Sequence, residues 1–164
     1  MRDTYWKKMY RYRHDLEYYY LCYRRCLIIK RSIQIGTAIV SSAAIGAWVV
    51  YTNLAFIWSL IIVVSQVVTA VYDVLPIKKR TDVLAGMIAQ TEQLYYEIEE
   101  TWRRISYSEY SDEKINSLLT KYEKSWILIC NKALADDMLP QKEKLSIKAE
   151  DEAREYFRIF NEEN

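Results

Sequence analysis

Hydrophobic positions follow two regimes along this chain, and the change between them predicts its layout. From Ser32 to Tyr72 runs a 41-residue stretch with no Asp, Glu, Lys, Arg or His, bounded by Arg31 and Asp73. It is rich in Ile, Val, Ala and aromatic side chains. Elsewhere, apolar residues recur at alternating spacings of four and three, the period of a helix that buries one stripe. A bilayer core requires roughly 20 apolar residues per crossing helix, so the run has the length for two crossings and exceeds one. Its most turn-like point is Tyr51-Thr52-Asn53. The expected fold class is an all-α membrane protein in which a two-helix transmembrane hairpin, at about Ile33–Val50 and Leu54–Leu75, continues into a cytoplasmic helical bundle.

The flanking segments supply that bundle. Residues 1–31 form an N-terminal amphipathic helix whose stripe is Tyr5, Met9, Tyr12, Leu16, Tyr19, Tyr23 and Cys26. It packs in the bundle or, because it holds nine basic residues against three acidic ones, lies flat on anionic lipid. Residues 32–75 are the hairpin, and residues 76–164 are a C-terminal bundle of three helices. The first starts near a cap at Thr81 or Asp82. It carries Leu84, Ile88, Thr91, Tyr95, Ile98, Trp102 and Ile105. The second starts at a Ser111 cap and carries Ile115, Leu119, Tyr122, Trp126, Ile129 and Ala133. The third, 141–160, carries Leu145, Ala149, Ala153, Tyr156 and Phe160 on a looser stripe. Heptad packing of the coiled-coil type is centred on Tyr12, Leu16, Ile98, Trp102, Tyr122 and Trp126.

Charge then fixes the expected topology. The chain is nearly balanced, 23 Lys and Arg against 22 Asp and Glu, and its mean hydropathy of -0.20 conceals the run. Basic residues gather at both borders of the run, Arg24, Arg25, Lys30 and Arg31 before it and Lys78, Lys79 and Arg80 after it. Two crossings put both borders on one side, which the positive-inside rule makes the cytoplasm. The expected location is the bacterial inner membrane, with two spans and both termini cytoplasmic. A buried hairpin is the contrary reading, but the other helices are too polar to wrap one. Arg11, Arg13, Arg24, Arg25, Lys78, Lys79 and Arg80 form a candidate contact for anions or lipid headgroups.

Chemistry-bearing residues are sparse. The lone histidine, His14, sits between Arg13 and Asp15 and reads as a surface residue. Cys22, Cys26 and Cys130 lack the partners of a zinc site, and the three glycines form no phosphate-cradling loop. No enzyme, metal, cofactor or direct nucleic-acid contact is expected.

The run itself carries polar positions at helical spacing. Gln34, Thr37 and Ser41 share one stripe, and Ser59, Gln66, Thr69 and Asp73 share another. In hydrocarbon such groups need partners or a water-lined surface. They therefore bond between helices, or line a pore built from several copies, since two helices enclose no channel. Ser42 with Gly46, and Ala43 with Ala47, are small-residue pairs suited to close helix packing in that homo-oligomer.

A basic, aromatic helix containing Trp6-Lys7-Lys8 and Arg24-Arg25, a short-looped hairpin over Ser32–Leu75 and a long helical tail together resemble the SLATT family. These are two-transmembrane effectors of bacterial conflict and anti-phage systems. The resemblance implies an oligomeric membrane effector that an infection-linked signal triggers to form or gate a pore, permeabilising the inner membrane in abortive infection. It also implies a sensor protein, a reverse transcriptase or a nucleotide second messenger as partner, alongside membrane lipids. The alternative function is a non-conducting membrane scaffold or regulatory subunit whose bundle docks a soluble partner.

Overall fold

A computed structural model describes the chain except residues 51–54, 75–76, 108, 135–138, 140–141 and 164. Within the helices, the side chains of 41–50, 55, 58, 69, 71–74, 77–79 and 161–163 also lie outside the described set. Among the described residues the fold is all-helical, with α1 at Arg2–Val50, α2 at Ala55–Val74, α3 at Ile77–Ser106, α4 at Asp112–Ala133 and α5 at Glu143–Glu163. Two compact units divide them. Unit 1 is Met1–Tyr23 with Val83–Asn164, and unit 2 is Arg24–Asp82.

The four-three stripes make the core of unit 1. Tyr5, Met9, Tyr12 and Leu16 of α1 meet Ile88, Tyr95, Ile98 and Ile105 of α3, Ile115, Tyr122 and Trp126 of α4, and Phe157 of α5. Burying a large apolar side chain is worth about 1.5–3 kcal/mol, so this cluster is the main source of stability. The aromatic members also interlock. Tyr12 and Trp126 have ring centroids 4.6 Å apart, and Trp6 lies 5.1 Å from Trp102 and 5.0 Å from Phe157. Helix α4 begins where expected, with the Ser111 hydroxyl accepting from Lys114 N at 3.3 Å as an N-cap does. Helix α3 begins at Ile77, four residues before the anticipated cap, and Thr81 is a buried residue within it.

The expected membrane hairpin is corrected. Among the described residues, no helix is long and apolar enough to cross a membrane. In the described part of α2, Ser59, Ser65 and Gln66 interrupt the apolar sequence. The expectation of a two-span protein of the bacterial inner membrane is overturned with it. The anticipated turn at Tyr51-Thr52-Asn53 lies outside the described residues.

Candidate functional site

Unit 2 is built from the second half of α1, all of α2 and the start of α3. Two features mark it: a groove between α1 and α2, and an uncovered apolar face. The groove has a volume of about 410 Å³. Ile33, Gly36, Thr37 and Val40 of α1 line one wall, and Leu60, Ile61, Val64, Ser65 and Val68 of α2 line the other. Gly36 needs no special backbone there; an added Cβ would meet nothing within 4 Å. Ser65 is the buried polar residue of this wall.

The face is the larger anomaly. Of the eighteen exposed large apolar side chains among the described residues, eleven belong to unit 2. Soluble monomers leave contiguous apolar patches of only about 300–600 Å² bare, so a concentration of this kind marks an interaction surface. Its periodicity is informative. Phe56, Leu60, Val63 and Val67 recur at spacings of four, three and four, and are 80%, 54%, 57% and 55% exposed. On α1, Ile28, Ile35 and Ile39 are exposed at spacings of seven and four. With 3.6 residues per turn each set shares one side of its helix, and Ile29, Ile57, Val64 and Val68, also exposed, widen the apolar face beyond it.

The polar candidates of the run fare differently from one another. The Thr37 hydroxyl donates within its own helix, 2.9 Å from Ile33 O and 3.0 Å from Gln34 O. The Ser59 hydroxyl donates to Phe56 O at 2.9 Å. These groups are satisfied by the preceding turn rather than by a neighbouring helix. Gln34, Ser59 and Gln66 are exposed, and Thr37 alone of the four candidates with described side chains lines the groove. Ser41, Thr69 and Asp73, and the small-residue set Ser42, Ala43, Gly46 and Ala47, have side chains outside the described residues.

In unit 1 the six bundle candidates come together. Tyr12, Leu16, Ile98, Tyr122 and Trp126 are buried in one cluster, with Trp102 packed against it. Hydrogen bonds pin it: the Tyr5 hydroxyl donates to Ile98 O at 2.9 Å, and Tyr122 and Thr101 hydroxyls lie 2.7 Å apart.

The basic candidates are divided between the two units and differ in exposure. Arg11, Arg24 and Arg25 are exposed, Arg80 is half-buried, and Lys78 and Lys79 lie outside the described side chains. Arg13 is committed internally. It pairs with Glu17, and its guanidinium lies 3.7 Å from the centre of the Tyr156 ring, a cation–π contact. Burial raises the Glu17 carboxyl above its ordinary value, the nearby Glu152 carboxylate adds to this, and Arg13 opposes it. Burial likewise pushes the Tyr156 hydroxyl up to about 12, with the Glu99 carboxylate adding to the shift; that hydroxyl donates to Glu99 at 3.0 Å.

The individual contacts of this polar layer were not legible in the sequence, because Arg13, Glu99 and Tyr156 stand on three different helices far apart along the chain. Sequence reasoning also missed a groove of about 510 Å³ in unit 1, where His14, Asp15 and Tyr18 of α1 face Lys142, Glu143, Ser146 and Ile147. His14 and Ser146 are 132 residues apart, so no local motif could announce them. No group of three or more metal-binding side chains occurs among the described residues. Comparison with protein-family models, curated proteins and solved structures finds no match to this chain.

Proposed function

We propose that this protein is a self-assembling helical subunit, in which unit 1 packs around its own core and the apolar face of unit 2 joins the chain to a second copy. The observation that carries this reading is the exposed stripe Phe56, Leu60, Val63 and Val67, accompanied by Ile28, Ile35 and Ile39. A stripe of this period is a seam for knobs-into-holes packing, and its partner must offer apolar residues at the same spacing. The stripes of unit 1 are spent on its own core. The same face on a second copy supplies the complement, which makes the pairing isologous.

Magnitudes favour a real but easily broken contact. Covering the exposed half of a large aliphatic side chain contributes roughly 1 kcal/mol, half of what full burial gives. Covering about half of the face on each copy then contributes on the order of 10 kcal/mol, against an association cost of about 4–15 kcal/mol. Most of the seam must engage, so charges at its centre should abolish pairing. The basic, aromatic α1 and the long helical tail, the part of the SLATT resemblance that does not depend on membrane crossing, support taking the assembled form as the working state of an infection-triggered effector, with the signal received by unit 1. Membrane crossing and a transmembrane pore are not part of this reading.

Sedimentation of the full chain over a range of concentrations tests it. Wild type should show reversible self-association in the micromolar range, and the double variant Val63→Glu, Val67→Glu should remain monomeric with unchanged helicity. A wild type that stays monomeric throughout would overturn the proposal. So would a chain that stays dispersed only as single copies in detergent or lipid, which would assign the face to that apolar phase.

A further inference from the structure

The polar groove of unit 1 holds a relay of side chains that self-assembly does not use. His14 Nδ1 lies 3.1 Å from Asp15 Oδ1, and His14 Nε2 lies 3.4 Å from Ser146 Oγ. A carboxylate accepts a hydrogen bond, so in the neutral imidazole the contact with Asp15 favours the tautomer with its proton on Nδ1. In that tautomer Nε2 is an acceptor, and the Ser146 hydroxyl is placed to donate to it. That is the polarity required for a histidine to withdraw a proton from a serine nucleophile.

The surroundings add to this arrangement. Ser146 stands in the first turn of α5, where the helical ladder opens with Leu145 N and Ser146 N donating to Lys142 O at 2.9 and 3.0 Å. The N–H groups of Glu143 and Lys144 precede that ladder and have no helical acceptor. They lie at the positive end of the helix and are donors of the kind that stabilise a developing oxyanion. Lys142 N in turn donates to the Tyr18 hydroxyl at 3.1 Å, which ties the start of α5 to α1. The groove, about 510 Å³, has room for a small substrate.

We propose that Ser146 is a nucleophile, activated by His14 and oriented through Asp15, that accepts the acyl group of small carboxylic esters. The Ser146 proton passes to His14 Nε2 as Oγ bonds to the carbonyl carbon. Collapse of the tetrahedral adduct breaks the bond to the leaving alcohol, which takes the proton from His14. Water, deprotonated by the same nitrogen, then releases the acid and restores the serine.

The test is covalent labelling of the full chain with a small alkyl fluorophosphonate, followed by peptide mapping, with p-nitrophenyl acetate turnover measured in parallel. One adduct on Ser146 is expected, with fluoride as the leaving group. Ser146→Ala should abolish both signals, and His14→Gln should slow them on the order of 100-fold. Asp15→Asn should slow them too while retaining side-chain shape; it carries the test should His14→Gln lose helicity. Absence of a Ser146 adduct under conditions that label a known serine hydrolase would overturn the proposal. Equal labelling rates in the wild type and a folded His14→Gln or Asp15→Asn variant would do the same.

Discussion

Tyrosine hydroxyls in the core of unit 1 differ in what they contribute, and the difference is measurable. The Tyr5 hydroxyl is buried and bonded to Ile98 O at 2.9 Å, whereas the buried Tyr95 hydroxyl has no hydrogen-bond partner among the described residues. A typical intramolecular hydrogen bond contributes about 0.5–1.5 kcal/mol net, while an unsatisfied buried group is a cost. Tyr5→Phe should therefore lower the unfolding free energy by about 1 kcal/mol, and Tyr95→Phe should leave it unchanged or raise it. Urea midpoints at constant slope decide between these signs. Glu17 gives a second prediction at this scale. Its carboxyl is raised in the folded protein by burial first and by Glu152 second, with Arg13 opposing. A raised folded value means that its favourable contribution is complete below the unfolded value, near 4.5, and is lost as pH climbs through the folded one. Glu17→Gln removes that titration and keeps a polar partner for Arg13. Relative to wild type, the variant should gain stability as pH rises from about 4.5 towards neutrality; a constant difference across that window would refute the assignment.

At the scale of elements, α5 depends on small residues. Ala149 and Ala153 are fully buried, with Phe157 one turn further on, so the helix backbone lies close against its neighbours. Ala153→Leu overfills that contact and should cost about 1–3 kcal/mol in thermal or denaturant unfolding. Gly86, exposed in the interior of α3, has free space around an added Cβ. Gly86→Ala should stabilise by about 0.5–1 kcal/mol. These elements were largely legible in the sequence. The stripes from Tyr5 to Leu16, Leu84 to Ile105 and Ile115 to Trp126 name most of the residues buried in unit 1, since one-sided burial imposes the helical period directly. On α5 the reading stepped three residues from Ala153 to Tyr156 and on to Phe160, yet Phe157, four residues on, is the buried aromatic; a 3.6-residue turn leaves steps of three and four nearly equivalent. The charge-free run misled for a different reason. Its length and apolarity prescribe removal from water but not what does the removing, and its hydroxyls at Thr37 and Ser59 are satisfied within their own helices. The pairing of His14 with Ser146 was invisible because it arises only when α5 returns to α1.

The whole molecule combines an interior-rich unit with a surface-rich one, and this contrast sets how its stability should respond to concentration. Unit 1 buries its aromatic stripes internally, so its unfolding is an intramolecular event. Unit 2 leaves Phe56, Leu60, Val63 and Val67 more than half exposed, so the proposed partner is another copy and mass action enters. Anything that binds the folded form alone raises its apparent stability, by roughly 1.4 kcal/mol per tenfold increase in concentration once binding approaches saturation. Heating monitored at two protein concentrations tenfold apart should therefore show a later transition in the more concentrated wild-type sample. The Val63→Glu, Val67→Glu variant should unfold at one temperature in both. Salt offers an independent check on what joins the copies. A seam made of apolar side chains is not screened, whereas exposed ion pairs weaken as ionic strength rises. Association should survive or tighten in high salt, and dissociation there would point instead to charged groups such as Arg24 and Arg25, exposed beside Ile28 on the same unit.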